Sequence, residues 1–160
     1  MNIWKKILGI SLAVGLSVSM GIVPIYADSI SILDEITDEE TTEDYSEDTS
    51  TILARSSYLH LGNVKIQRVS SNEIAIYGLT QCHKKCSKVY LSLFLERKVN
   101  GSYGTYKIWE FTAKNASSLS KEIDVAVPSG TYYRVRGYHA VSQSGTKEST
   151  STLTQGIMVK

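Results

Sequence analysis

Cys82 and Cys86 are the only cysteines in the sequence, spaced C-x-x-x-C in QCHKKCSK with His83 between them. In an oxidising compartment an even, closely spaced pair favours a disulfide. It would brace the His83-Lys84-Lys85 turn. The loop it closes is so short that the entropic gain is only about 2 kcal/mol. Two free thiols are the second reading. A metal site is the third, with His83 as a further ligand and His60 or His139 completing the four that structural zinc needs. The spacing is not the C-x-x-C of redox thiols. No nucleophile elbow, metal-binding His pair or phosphate-cradling Gly loop is present, so no catalytic residue, metal or cofactor is assigned and the chain is read as no enzyme. His139 falls in register with Tyr133, Val135 and Val141, which makes it a hydrogen-bonded core histidine rather than a base.

The stronger candidate chemistry is binding. Tyr132, Arg134, Arg136 and Tyr138 alternate along one run and share a face. If the segment 88–99 pairs with this run, Tyr90 and Phe94 join them. Exposed rings beside guanidinium groups stack on sugars or bases and pair with phosphates. Lys84, Lys85 and Lys88 add positive charge at one end. The competing reading is ordinary cross-strand Arg–Tyr packing over a sheet. Tyr103 and Tyr106 raise the same question, whereas Trp109 and Phe111 alternate together and read as core.

The first 27 residues, MNIWKKILGISLAVGLSVSMGIVPIYA, read as a secretory signal. Lys5 and Lys6 form the charged region, Ile7 to Val23 is an apolar or small-residue run, and Pro24 breaks it before a small residue at Ala27. The run is slightly short to span a bilayer. Export follows, with no membrane association after cleavage and a secreted or cell-wall-associated location. Residues 28–54 carry ten acids and no Lys or Arg, and residues 55–160 carry fifteen Lys and Arg against six Asp and Glu, a net +9. Like-charge repulsion and sparse apolar surface make 28–54 a disordered acidic arm or a pro-segment. It could mask the basic domain that follows.

From Ser56 onward the hydrophobic period is two. Val64 and Ile66 alternate with Lys65 and Gln67, and Val89, Leu91, Leu93 and Leu95 share a face. Leu119, Ile123, Val125 and Val127 share another. Asn100-Gly101 marks a type I′ hairpin, because both residues of that turn need positive φ. Pro128-Ser129-Gly130 and Ser144-Gly145 mark further turns. Strands are expected over 58–69, 73–82, 88–99, 104–113, 119–127, 131–142 and 149–159. The expected fold is all-β, an antiparallel two-sheet sandwich of about seven strands over 55–160, preceded by a signal helix over 1–27 and the acidic arm.

VPSGTYYRVRGY resembles the tyrosine corner of immunoglobulin and fibronectin type III sandwiches, with Tyr133 in the position of the corner tyrosine. The segments ARSSYLHLG, IYGLTQCH, LFLERKVNGSY, GTYYRVRGYHAV and STLTQGIMV together resemble a family of small secreted Firmicutes proteins known only as a domain of unknown function. That resemblance implies a Gram-positive source and export, and no chemistry. The expected function is non-enzymatic binding of an anionic or carbohydrate cell-surface polymer, with no nucleic-acid partner. The alternatives are a secreted antagonist or signal whose acidic arm is a pro-segment, and an extracellular hydrolase with an unrecognised site.

Overall fold

The computed structural model describes residues 40–51 and 56–160. The expected signal helix over 1–27 and the arm as far as Glu39 lie outside the described residues.

Seven strands run in chain order: β1 (Tyr45–Thr51), β2 (Leu59–Ser70), β3 (Glu73–Val99), β4 (Ser102–Ala126), β5 (Thr131–Gln143), β6 (Thr146–Leu153) and β7 (Ile157–Val159). All named strand pairs are antiparallel. β3 organises the sheet. On one side its first half pairs with β2 and its second half with β5, while β4 follows it along the other side. β1 extends the sheet beyond β2, and β6 and β7 extend it beyond β5. The result is one continuous sheet, curled so that β2 lies against β5, β6 and β7, where two sheets were expected.

The curl comes from two facing irregularities. The register of β3 against β4 slips between Gln81 and Cys86, and Asn115 of β4 takes a positive φ of 51° near the same level. Extra residues of this kind bend a strand and raise its local twist. The polar QCHKKCSK run reads in sequence as a turn, but its backbone stays extended. The segments expected as four strands, 73–82, 88–99, 104–113 and 119–127, are therefore the halves of two long ones.

The concave side holds the core. Val64, Ile66, Ile74, Ile76, Leu91, Leu93, Leu95, Tyr133, Val135, Ile157 and Val159 are fully buried, with Trp109 and Phe111 packed against them. Tyr133 donates from its hydroxyl to the carbonyl of Pro128 at 2.8 Å, the backward bond that a corner tyrosine makes. Asn100 and Gly101 have φ of 51° and 84°, as the β3–β4 hairpin requires, and Ser144 and Gly145 repeat the pattern between β5 and β6.

Disorder was expected throughout 28–54, yet Tyr45–Thr51 forms β1 against β2. Its composition hides this because only Ser46 is buried in it. Polar contacts hold it in place of apolar ones. Asn63 Nδ2 donates to Glu47 Oε1 and Thr49 Oγ1, both at 2.7 Å. Asp48 accepts from the Leu153 N–H at 2.8 Å, and Ser46 from the Gln155 N–H at 2.9 Å.

Candidate functional site

The pairing of β3 with β5 places Tyr90 opposite Ala140, Ser92 opposite Tyr138, Phe94 opposite Arg136 and Glu96 opposite Arg134. The sequence-predicted residues Tyr90, Phe94, Tyr132, Arg134, Arg136 and Tyr138 thus share one side of the sheet, away from Leu91, Leu93, Tyr133 and Val135. Cations lie over rings along it. Lys147 of β6 stands 5.3 Å from the Tyr90 ring centre and 5.7 Å from that of Tyr138. The Arg136 guanidinium is 4.5 Å from the Phe94 centre. Further along, Arg134 lies 4.0 Å from the Tyr103 centre, and Lys98 lies 5.4 Å from Tyr103 and 6.0 Å from Tyr132.

Arg134 departs from expectation. Alternation along the run puts it on the exposed face, yet it is only 2% exposed. Glu96, directly opposite, draws it in. The Arg134 Nε donates to Glu96 Oε2 at 2.7 Å, and the Arg136 Nε donates to Glu96 Oε1 at 3.0 Å. Tyr103 covers the guanidinium of Arg134. Charge-assisted bonds to one carboxylate satisfy both arginines, so Arg134 is a structural residue. Arg136, Lys147, Tyr90, Phe94 and Tyr138 remain accessible at the surface, the aromatic residues and Arg136 half-buried. Glu96 and Lys147 escaped the sequence reading. The even-numbered run Phe94, Glu96, Lys98 carried a signal for Glu96, because any carboxylate in that register faces the arginines of a neighbouring strand.

The acidic stretch touches this face. Glu40 forms an ion pair with Lys98, and Tyr103 donates to the same carboxylate oxygen at 3.4 Å. The Thr41 N–H donates to the Gly156 carbonyl at 2.9 Å. Gly156 has no side chain for a reason: a Cβ there would sit 1.9 Å from the Tyr103 hydroxyl.

His139 is fully buried between two threonines. Its Nδ1 lies 3.0 Å from Thr80 Oγ1 and its Nε2 2.8 Å from Thr152 Oγ1. Thr80 spends its own proton on the Tyr90 carbonyl at 2.9 Å, so Nδ1 is the protonated nitrogen and Nε2 accepts from Thr152. Burial lowers the pKa to about 4 from 6.5, against a smaller upward pull from a bond to the Leu79 backbone. A Cβ at Gly137 would stand 2.6 Å from Nε2, so the imidazole fills space that only glycine leaves.

The expected Cys82–Cys86 disulfide is not formed. Both residues are buried free thiols in a small apolar cluster with Leu59, Val89 and Val141 at the bend of β3. The backbone between them keeps its extended course instead of making the tight turn that a bridge would close. Desolvation, followed by the neighbouring Cys86 thiol, pushes Cys82 up to about 12. The His83 and His60 rings pack at a tilt of 49° with centres 4.6 Å apart, and among the described residues no three His, Cys, Asp or Glu side chains gather as metal ligands.

Glu148 is a second carboxylate that the sequence reading passed over. It accepts the N–H groups of Ser57, Tyr58 and Leu59 at 3.0, 3.0 and 2.8 Å, together with the Ser56 hydroxyl. Desolvation works to raise its pKa, but these hydrogen bonds outweigh it and hold the group at about 2, below the ordinary 4.5. Glu148 thereby pins the start of β2 to β6.

None of the curated proteins matches the chain. Among solved structures, the sporulation control protein Spo0M from Bacillus subtilis is 14% identical with a TM-score of 0.36, covering 72% of this chain and 50% of that one. The chain thus spans half the length of Spo0M. A protein from Archaeoglobus fulgidus is 14% identical with a TM-score of 0.34, covering 64% of this chain and 98% of that one. Chicken MD-1, solved in complex with lipid IVa, is 12% identical with a TM-score of 0.30, covering 71% and 91% respectively. A family profile matches residues 32–157, which include every strand but the last two residues of β7. The chain therefore belongs to DUF6147, a family of unknown function.

Proposed function

We propose that the protein is exported and acts without catalysis, binding an anionic or carbohydrate-rich cell-surface polymer on the outer side of β3, β5 and β6. The observation that carries this reading is the ordered placement of cations on rings, with Lys147 over Tyr90 and Tyr138 and Arg136 over Phe94. Half-exposed rings offer flat apolar area to sugar faces, and the adjacent cations pair with carboxylates or phosphates. Both arginines pair with Glu96, but Arg134 is buried there whereas Arg136 keeps part of its side chain exposed, so Arg136 is the one a ligand can reach.

The acidic stretch acts in this scheme as a tethered competitor, and the Glu40–Lys98 pair supports that role. Removal of the whole stretch as a pro-segment fits less well, because cleavage near Ser56 would strip β1 and its polar contacts from the sheet.

Retention on immobilised teichoic acid and on heparin at low and high salt tests the proposal. Exposed charges are screened over about 8 Å at physiological salt, so retention should fall steeply as salt rises. Replacing Arg136 and Lys147 together by Ala should reduce retention more than replacing Lys121 and Lys160. Equal loss from the two pairs would mean diffuse charge rather than a site. No retention at low salt would end the binding reading.

A further inference from the structure

On the concave side of β3 the row Leu91, Leu93, Leu95 is fully buried, and its next member is Arg97. A hydrophobic row therefore ends on a cation at the hairpin end of the curled sheet. Arg97 lies opposite Tyr133 on one side and Gly104 on the other. Its Nε is buried and, among the described residues, has no hydrogen-bond partner. A buried donor left unmade is costly, so a guanidinium held this way is a place where a ligand acceptor offsets the cost.

A groove of about 380 Å³ opens beside it, lined by Arg97, Ser102, Tyr103, Gly104, Thr105 and Tyr106. The β3–β4 register slips between Leu95 and Glu96, leaving Tyr106 as the extra residue. A bulge re-aims the side chain it carries. Here it sets the Tyr106 ring edge-on to Tyr133, with centres 6.2 Å apart and planes at 67°. The Arg97 guanidinium lies 5.9 Å from the Tyr106 ring centre and the Lys107 ammonium 5.6 Å from it. Tyr106 is 38% exposed. A Cβ on Gly104, the residue opposite Arg97, would meet nothing within 4 Å, so the space at that position is open. Among the described residues no carboxylate lines the groove.

We infer that this groove is a binding site for a carboxylate carried on a ring, such as one uronic-acid unit of an acidic glycan. The carboxylate accepts from the two Nη groups at the end of the Arg97 guanidinium as a two-pronged pair, a geometry in which guanidinium and carboxylate match well, while the buried Nε anchors no competing acceptor. The sugar ring lies against Tyr106, and the hydroxyl of Ser102, which shares the side of Arg97, is at hand for its own. The site is separate from the outer face that carries Arg136 and Lys147, so it stands or falls independently of the polymer-binding proposal.

Titration of the isotope-labelled protein with D-glucuronate, followed by NMR at the Arg97 Nε–H and Gly104 amide signals, tests the inference. Both signals should shift saturably with glucuronate, and neither should do so with glucose. Arg97→Lys retains the charge but loses the fork, and should weaken binding about tenfold or more. Tyr106→Ala should weaken it as well, and Tyr106→Phe, which keeps the ring against Tyr133, should not. Arg136→Ala should leave it unchanged. Absence of a saturable shift at these two signals would overturn the inference. So would glucose or inorganic phosphate binding as tightly as glucuronate, or full affinity in Arg97→Lys.

Discussion

Mild acid should destabilise this protein through one residue, His139. The imidazole is fully buried, neutral, and bonded at both nitrogens, with Nε2 acting as an acceptor. Protonating Nε2 in place would set a donor against the Thr152 hydroxyl proton and bury a charge with no carboxylate at hand. The folded pKa is therefore about 4, against 6.5 for the free side chain. The sign follows directly. Below pH 6.5 the unfolded chain takes up a proton that the folded chain refuses, so stability falls with pH until the folded histidine titrates too. The linkage integral gives a loss of about 2 kcal/mol between about pH 7.5 and pH 5, and about 3 kcal/mol by pH 4. The upper part of that window lies above the normal carboxylate range, so few other groups contribute to it. Urea unfolding at several pH values would measure the slope, and the imidazole Cε1–H signal would report the folded titration directly. Replacing His139 by Gln should lower stability at pH 7.5 and flatten the slope between pH 7.5 and 5. A folded-state titration midpoint between 6 and 7, or an unchanged slope in the variant, would refute the reasoning.

Three further outcomes follow from the same contacts. Glu96→Ala strands the buried Arg134 guanidinium and should cost about 3–5 kcal/mol in chemical denaturation, whereas an exposed ion pair would cost under about 1 kcal/mol. Glu148→Gln should remove an acid-range contribution that is present above pH 4.5 and lost as pH falls through about 2. The group still meets water, so that contribution is about 1–2 kcal/mol rather than the full shift, read from the difference between the two acid-denaturation curves. Cys82 and Cys86 should resist alkylation at pH 8 in the native protein and react once it is unfolded, because both are buried from the reagent and, for Cys82, burial also suppresses the nucleophilic thiolate. An intact mass two hydrogens short would instead mean a disulfide.

Local pattern was enough to determine the all-β class, the inward set Leu91, Leu93, Val125, Tyr133 and Val135, the Asn100-Gly101 hairpin and the shared face of Tyr90, Phe94, Tyr132, Arg134, Arg136 and Tyr138. The physical reason is that a strand alternates faces with period two, so a single correct assignment orients every residue of a run. The family membership was legible in the same way, through whole segments of residues. Tertiary structure alone decided the rest. Alternation says which face a side chain takes but not what stands opposite, so it could not reveal that Glu96 would draw Arg134 inside or that Lys147 would cover Tyr90. Strand breaks were misplaced where a polar run stayed extended through the β3 bend, since hydrophilicity mimics a turn when backbone pairing continues beneath it. β1 was invisible because its stabilising bonds come from Asn63, Leu153 and Gln155, all distant in sequence. Pairing of this kind is set by which backbone edge lies free once the core has closed, and no local composition encodes that.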